Sequence, residues 1–163
     1  DWLVERLQSS PCHFKILLNP VPIAQLPSTW PAFGDRWEAY PEQRDAVLDT
    51  ILDGGLENVW FLTGDLHAGL VHRVEGSGRR AELIEIMVGP GGPRTLNPLP
   101  TLVEQVPDQA EAYFPSNQFL YRSDELAATL LTFDPALNGV RVRFIDPETG
   151  DARYDELLTA GPA

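Results

Sequence analysis

Lysine is nearly missing from this chain of 163 residues: Lys15 is the only one, and Lys and Arg together number 12 against 24 Asp and Glu, for a formal net charge of −12. Neutralising a nucleic-acid backbone needs clustered cations, so this balance excludes a protein whose main task is to bind phosphodiester backbones. An acidic surface also favours solubility, and a metal site would add a local positive field that the global charge hides. Cysteine is as scarce: Cys12 stands alone, which rules out an internal disulfide and any zinc cluster built from thiolates, and leaves a small packed or surface side chain. There is no uninterrupted apolar run of membrane-spanning length, and no basic-apolar-small signal pattern opens the chain.

What is present is ample apolar material, 43% of residues, enough at this length for one domain with a sizeable core. The opening DWLVERLQSS reads as the middle of something, a helix with Trp2, Leu3 and Leu7 on one stripe, and the chain is expected to be the C-terminal part of a longer polypeptide. HFKILLN has the apolar density of a buried strand stopped by Pro20 and Pro22. Residues 19–36 carry four prolines and a glycine and predict a long ordered loop. YPEQRDAVLDTILDGG returns to a 3.6 period through Val47, Leu48, Ile51 and Leu52, with Pro41 near its start and Gly54-Gly55 at its end, a helix.

NVWFLTG predicts a strand covered on both faces, and GLVHRVE with AELIEIMVG a hairpin. A weak helix is expected within Leu102 to Tyr113. Turn clusters separate LAATLLTFD, GVRVRFID and DARYDELL and predict a closing antiparallel β meander. No repeat, low-complexity tract or interdomain linker is visible, so the fold class expected is layered α/β with a C-terminal meander.

The chemistry concentrates where the apolar strand NVWFLT ends in Gly64-Asp65-Leu66-His67. In layered α/β folds the carboxyl end of a buried strand opens onto the crevice where ligands sit. Gly64 allows a tight turn there, and a carboxylate and a neutral imidazole are good ligands for hard or borderline metal ions. At i, i+2 they share a direction in extended backbone or diverge across a turn toward two metals. The plainer reading is an ordinary Gly-Asp turn with a solvated or hydrogen-bonded His67.

WFLTGDLHAG resembles the last metal-binding motif of the alkaline phosphatase D (PhoD-like) branch of the metallophosphoesterases. GDRWEAYPEQRDAVLDTI resembles that family's Asp-x-Trp-x-x-Tyr-Pro-x-x-Arg segment, matched by Asp35, Trp37, Tyr40, Pro41 and Arg44. DWLVERLQSSPCHFKILLNPVPIA is similar to the family's order of a Trp-Leu helix, a Ser-rich turn and a strand ending near Val-Pro.

The resemblance implies part of a four-layer α/β sandwich with metal ions between its halves, a dinuclear centre to which Asp65 and His67 each supply a ligand and at which they act in catalysis. Iron, calcium or other divalent ions are implied, with a phosphate monoester or diester as substrate and an extracytoplasmic location. It also implies that the family's early motifs, with their aspartates and asparagine, belong to an N-terminal half that precedes residue 1. Two ligands cannot hold a dinuclear centre, so this stretch alone is expected to be half an active site with negligible activity. A catalytically silent interaction or structural module is the rival from a different class, encouraged by Pro20, which replaces a polar residue that relatives often carry.

Asn19 at the end of HFKILLN is a candidate substrate contact through its amide, with a turn or cap as its plainer role. GPGGPR, Gly89 to Arg94, lacks the helix and lysine of a P-loop and reads as a rim, with Arg94 as a candidate phosphate contact. Trp37 and Tyr40 read as loop anchors ahead of pocket walls. Arg44, near Glu38, Glu42 and Asp45, reads as a structural ion pair ahead of a phosphate contact. His72 alternates with Leu70 and Val74 and reads as a satisfied sheet histidine, His13 as exposed. Ser9, Ser10 and Ser116 have no base at a recognisable spacing, so nucleophilic serine chemistry has no support.

Overall fold

Continuous apolar sequence gives the fold its centre. The computed structural model describes residues 2–30, 34–90 and 109–159, and in it Val59–Thr63 (β2) is buried at four of its five positions. β2 is hydrogen-bonded on both sides, parallel to Lys15–Asn19 (β1) and parallel to Ile84–Met87 (β4). Gly69–Arg73 (β3) runs antiparallel to β4, and Phe119–Ser123 (β5) antiparallel to β3. The sheet order is therefore β1-β2-β4-β3-β5. The hairpin expected from GLVHRVE and AELIEIMVG is present as β3 and β4, joined through a turn of 3-10 helix at Arg79–Glu82.

Side chains alternate across this sheet and each face has its own cover. Val59 and Phe61 of β2 pack with Leu7 of helix α1 (Trp2–Ser9), with Val47, Leu48 and Ile51 of helix α2 (Pro41–Asp53), and with Ile23 of the long loop. Trp60, Val71, Ile84 and Ile86 point the other way, onto Val140, Val142 and Phe144. Those belong to the meander of Ala128–Asp134 (β6), Gly139–Ile145 (β7) and Ala152–Leu158 (β8), paired antiparallel in that order. The layers run helices, mixed five-stranded sheet, three-stranded sheet, as the expected fold class requires.

Helix α2 shows how closely the local signals were obeyed. Pro41 occupies its first turn, where a missing N–H is no loss. At its end Gly55 takes φ +59°, Gly55 N–H donates to Leu52 O, and Leu56 N–H donates to Ile51 O at 2.9 Å. Such a paired bond pattern around a left-handed glycine satisfies the last helical carbonyls, and Leu56 packs back onto the core.

Two expectations are corrected and one strand is added. HFKILLN is not buried on both faces: β1 is the outer strand, with Leu17 inward while Ile16 is 42% and Leu18 77% exposed. A local apolar run is the same in an edge strand and a central one, and only the sheet order tells them apart. Trp2 is 68% exposed, whereas Leu7 on the same stripe is buried and Leu3 packs against the core. β5 was not anticipated, because its alternation is broken by a bulge opposite Val71/His72 that sends Phe119 and Tyr121 to opposite faces. Of the helix expected within 102–113, the structure describes one turn, Ala110–Tyr113; the rest lies outside the described residues. Among the described residues no helix is long and apolar enough to cross a membrane, and Cys12 is free and exposed.

Candidate active-site edge

The parallel strands β1, β2 and β4 all end at one edge of the sheet. Asn19 is in register with Thr63, and Thr63 with Met87. The chain leaves β2 through Gly64 to Ala68 and re-enters at Gly69, and it leaves β4 through Val88 and Gly89. Asn19, the Gly64–Ala68 turn and Gly89 therefore meet at the carboxyl ends of the strands, where open α/β sheets place their ligands.

The turn is tight and strained. Leu66 N–H donates to Gly64 O at 3.1 Å across Asp65, whose φ is +79°. A two-residue bond closed around a positive φ near that value marks a γ-turn of the rare, non-inverse kind. His67 follows at φ +50°, so two residues with side chains occupy left-handed backbone two positions apart. Asp and His tolerate this region better than most, yet each such residue costs on the order of 1 kcal/mol. Both side chains are exposed. The alternation Asp65-Leu66-His67 sends Leu66 inward, onto the cluster of Ala24, Leu26, Trp30, Ala68, Leu70 and Met87.

Glycine is required just beyond. A Cβ on Gly69 would stand 2.7 Å from the Phe144 ring and 3.5 Å from Gly89 Cα, so the strand start fits beneath the meander only without a side chain. Gly89 N–H donates to Thr129 Oγ1 at 3.2 Å and Ala127 N–H to Pro90 O at 3.2 Å. The start of GPGGPR is thereby tied to the same edge; Arg94 lies outside the described residues.

Asn19 brings a second observation. Its Nδ2 is buried and has no hydrogen-bond partner among the described residues, and a buried amide donor is rarely left unmade. The amide's nitrogen and oxygen are interchangeable in assignment, so it can offer an N–H to a phosphate oxygen or an oxygen to a cation. Asp65, His67 and Asn19 together make the oxygen-and-nitrogen donor set that hard and borderline divalent ions take, and in that sense the residues fit a metal. Among the described residues no group of three or more His, Cys, Asp or Glu converges where it could hold one.

Residues 1–136 match the family model for PhoD-like phosphatases. The chain belongs to the PhoD-like phosphatase family. Alkaline phosphatase D of Bacillus subtilis (strain 168) is 38% identical to this PhoD-like chain over 72 residues, which are 42% of this chain and 12% of that protein. Among solved structures, one described as the structure of PhoD matches 97% of the chain at TM-score 0.64 and 22% identity, covering 30% of its own length. Another, described as GAP50, the anchor in the inner membrane complex of Plasmodium, matches 98% at TM-score 0.61 and 14% identity, covering 41% of its length. The fold is shared with both, and this PhoD-like chain spans less than half of each relative.

The other residues of the PhoD-like segments take structural places. Trp37 packs against the core as an anchor, while Tyr40 is exposed. Arg44 is a buried ion-pair residue, but its partners differ in part from those expected. Its Nη1 lies 3.1 Å from Glu75 and 3.5 Å from Asp45, and its Nε donates to Ile23 O at 2.7 Å. Glu38 instead accepts from Leu26 N–H and pairs with Arg36. His13 is exposed, as expected.

His72 is a fully buried sheet histidine, only half satisfied. Its Nδ1 faces Arg73 O at 3.3 Å, and its Nε2 sits 3.7 Å from Glu85 Oε2, beyond hydrogen-bond reach. A carbonyl only accepts, so the proton belongs on Nδ1 and Nε2 presents a lone pair. Glu85 is equally buried and accepts from Ile23 N–H at 3.0 Å and Ala24 N–H at 2.9 Å. Burial pushes the Glu85 carboxyl up to about 7, against the lowering effect of those two backbone donors. Burial pushes His72 down to about 4, against its bond to Arg73 O. Sequence reasoning passed over Glu85. The signal was a lone carboxylate inside LIEIMV, which the hairpin register sets opposite His72.

Proposed function

We propose that this chain contributes Asp65 and His67 as ligands on one side of a dinuclear metal centre in a metal-dependent phosphoester hydrolase. The observation that carries the reading is the strained Gly64–His67 turn, which exposes a carboxylate and an imidazole at the carboxyl edge of the sheet. Strain of this kind survives only where the surroundings over-determine it, and it gathers at functional sites. Two ligands are too few for two metals, so the remaining ligands come from residues beyond this stretch, and this stretch alone has negligible phosphatase activity.

Metal ions held there, iron, calcium or other divalent cations, supply Lewis acidity and lower the pKa of a coordinated water. The chain's own contribution is geometric. Asp65 and His67 hold their donor atoms at the rim, Gly69 lets the strand start lie close beneath Phe144, and the Asn19 amide donates to a phosphate oxygen of a monoester or diester substrate. Arg94 is carried as a further phosphate contact. The charge balance fits this division: a protein of net charge −12 repels an anionic substrate, so attraction must come from a local cation. An extracytoplasmic location accompanies the reading through the family resemblance.

The test is elemental metal analysis with phosphomonoester and phosphodiester turnover, measured on the longest natural polypeptide containing these residues and on its Asp65→Ala and His67→Ala variants. Each variant is expected to lose at least half of the metal and about 10²-fold or more in turnover. Full metal content with full turnover in both would remove the site assignment. A parent that binds no metal and turns over nothing would instead favour the silent-module reading, which Pro20 beside Asn19 encourages.

A further inference from the structure

Segment Ile23–Leu26 has no regular secondary structure, yet its backbone is tied down from several directions. Ile23 and Ala24 N–H donate to the two oxygens of Glu85, and Ile23 O accepts from Arg44 Nε. Gln25 N–H donates to Val74 O, Gln25 O accepts from Gln118 Nε2, and Leu26 N–H donates to Glu38. Upstream, Pro20 and Pro22 fix two φ angles between Asn19 and Ile23. Downstream, Ala24 and Leu26 share one buried cluster with Ala68, with Leu66 packed against it. Leu66 and Ala68 are the residues on either side of His67.

We propose that Glu85 is a positioning residue for the candidate site: its buried carboxyl group fixes the Ile23–Ala24 peptides through their two N–H donors, and the segment they anchor walls the turn that carries Asp65 and His67. The turn is buttressed from outside its own backbone, because Leu66 and Ala68 pack with Ala24 and Leu26 of that segment. Glu85 is suited to this because both carboxylate oxygens are committed to adjacent N–H groups in a dry interior, where such bonds are strong and their loss is costly. Arg44 grips the same peptide unit from the opposite side through Ile23 O. The inference rests on the reading of Asp65 and His67 as metal ligands, but its first test does not.

Three histidines provide three reporters: His67 in the turn, His72 beside Glu85, and His13 near Asn58, away from both. In ring-selective 1H–13C spectra of the chain, Glu85→Gln is expected to shift and broaden the His67 signal and leave His13 in place. Amide exchange at Ile23, Ala24 and Leu66 to Ala68 should accelerate by about tenfold or more, with the β6–β8 amides unchanged. Arg44→Lys should give the same pattern at smaller amplitude, and it decides the matter if Glu85→Gln does not fold. Faster exchange confined to Ile23 and Ala24, with His67 and the turn unmoved, would overturn the proposal. In the full natural polypeptide Glu85→Gln is expected to lower kcat about tenfold or more with KM within about twofold, and an unchanged kcat would also overturn it. If His67 responds while Asp65→Ala and His67→Ala keep their metal, the positioning role stands and the metal reading falls.

Discussion

Two irregular segments meet at the candidate site and keep their shape by opposite means. Ile23–Leu26 is part of a proline-rich loop, unstrained, with its backbone donors and acceptors taken by Glu85, Arg44, Glu38, Gln118 and Val74. Gly64–Ala68 is short, carries left-handed Asp65 and His67, and closes on itself with a γ-turn bond. Ile23–Leu26, within the stretch expected to be a long ordered loop, is fixed by hydrogen bonds from distant elements. The short turn bears the proposed ligands and borrows its order. Loops that carry functional groups are commonly held by a scaffold in this way.

The comparison breaks most severely at Arg44. Arg44→Ala strands Ile23 O and leaves Glu75 without one of its two arginine partners, and urea denaturation should report a loss of about 3 kcal/mol. Gly69→Ala strikes the other segment, since its Cβ would press into the Phe144 ring at 2.7 Å. About 2 kcal/mol of destabilisation is expected in the same assay.

The buried Glu85–His72 pair sharpens the contrast through pH. Glu85 is raised from 4.5 to about 7, so the folded state binds its proton more tightly; its contribution is full below pH 4.5 and is lost as pH rises toward 7. His72 is lowered from 6.5 to about 4, so its contribution is full above pH 6.5 and is lost as pH falls toward 4. Between 4.5 and 6.5 the two slopes oppose each other and the parent chain's stability from this source is nearly flat. In His72→Leu, stability should fall as pH rises from about 4.5 to 7; in Glu85→Gln it should fall as pH drops from about 6.5 to 4. Each change is on the order of 2 kcal/mol. Arg44 and the Thr63 hydroxyl, the other groups facing Glu85, are present in both variants. Parallel slopes in the two variants would refute the assignment of protons.

The smallest effect has the opposite sign. Asp65→Gly removes the penalty of a side chain at φ +79° and should stabilise the chain by about 0.5–1 kcal/mol while removing a proposed ligand. A destabilising result would mean that the Asp65 side chain makes contacts worth more than the strain it carries.

Much of this arrangement was legible because it is local. Apolar continuity marked β2, period and proline placement marked α2, and turn chemistry marked the meander, each enforced by short-range physics. The Gly-Asp-x-His motif singled out Asp65 and His67 as candidate ligands, and their left-handed backbone escaped the sequence because neither is glycine. What escaped depends on register and sheet order. The exposure of Ile16 and Leu18 follows from β1 being outermost, the course of β5 from a bulge, and the role of Glu85 from a hairpin alignment that sets it opposite His72 and beneath a loop sixty residues earlier. Arg44 shows the boundary well: its pairing role could be read from nearby acids, but Ile23 O and Glu75 reach it only through the tertiary fold.

The outer strand β1 has one more consequence. The chain's solitary lysine begins that strand, half-buried, with its Nζ resting on Cys12 O at 3.0 Å. Any reagent that acylates side-chain amines therefore marks this molecule at one place, on the rim of the sheet. A dye or isotope tag at Lys15 would report directly whether that rim of the chain is open or covered.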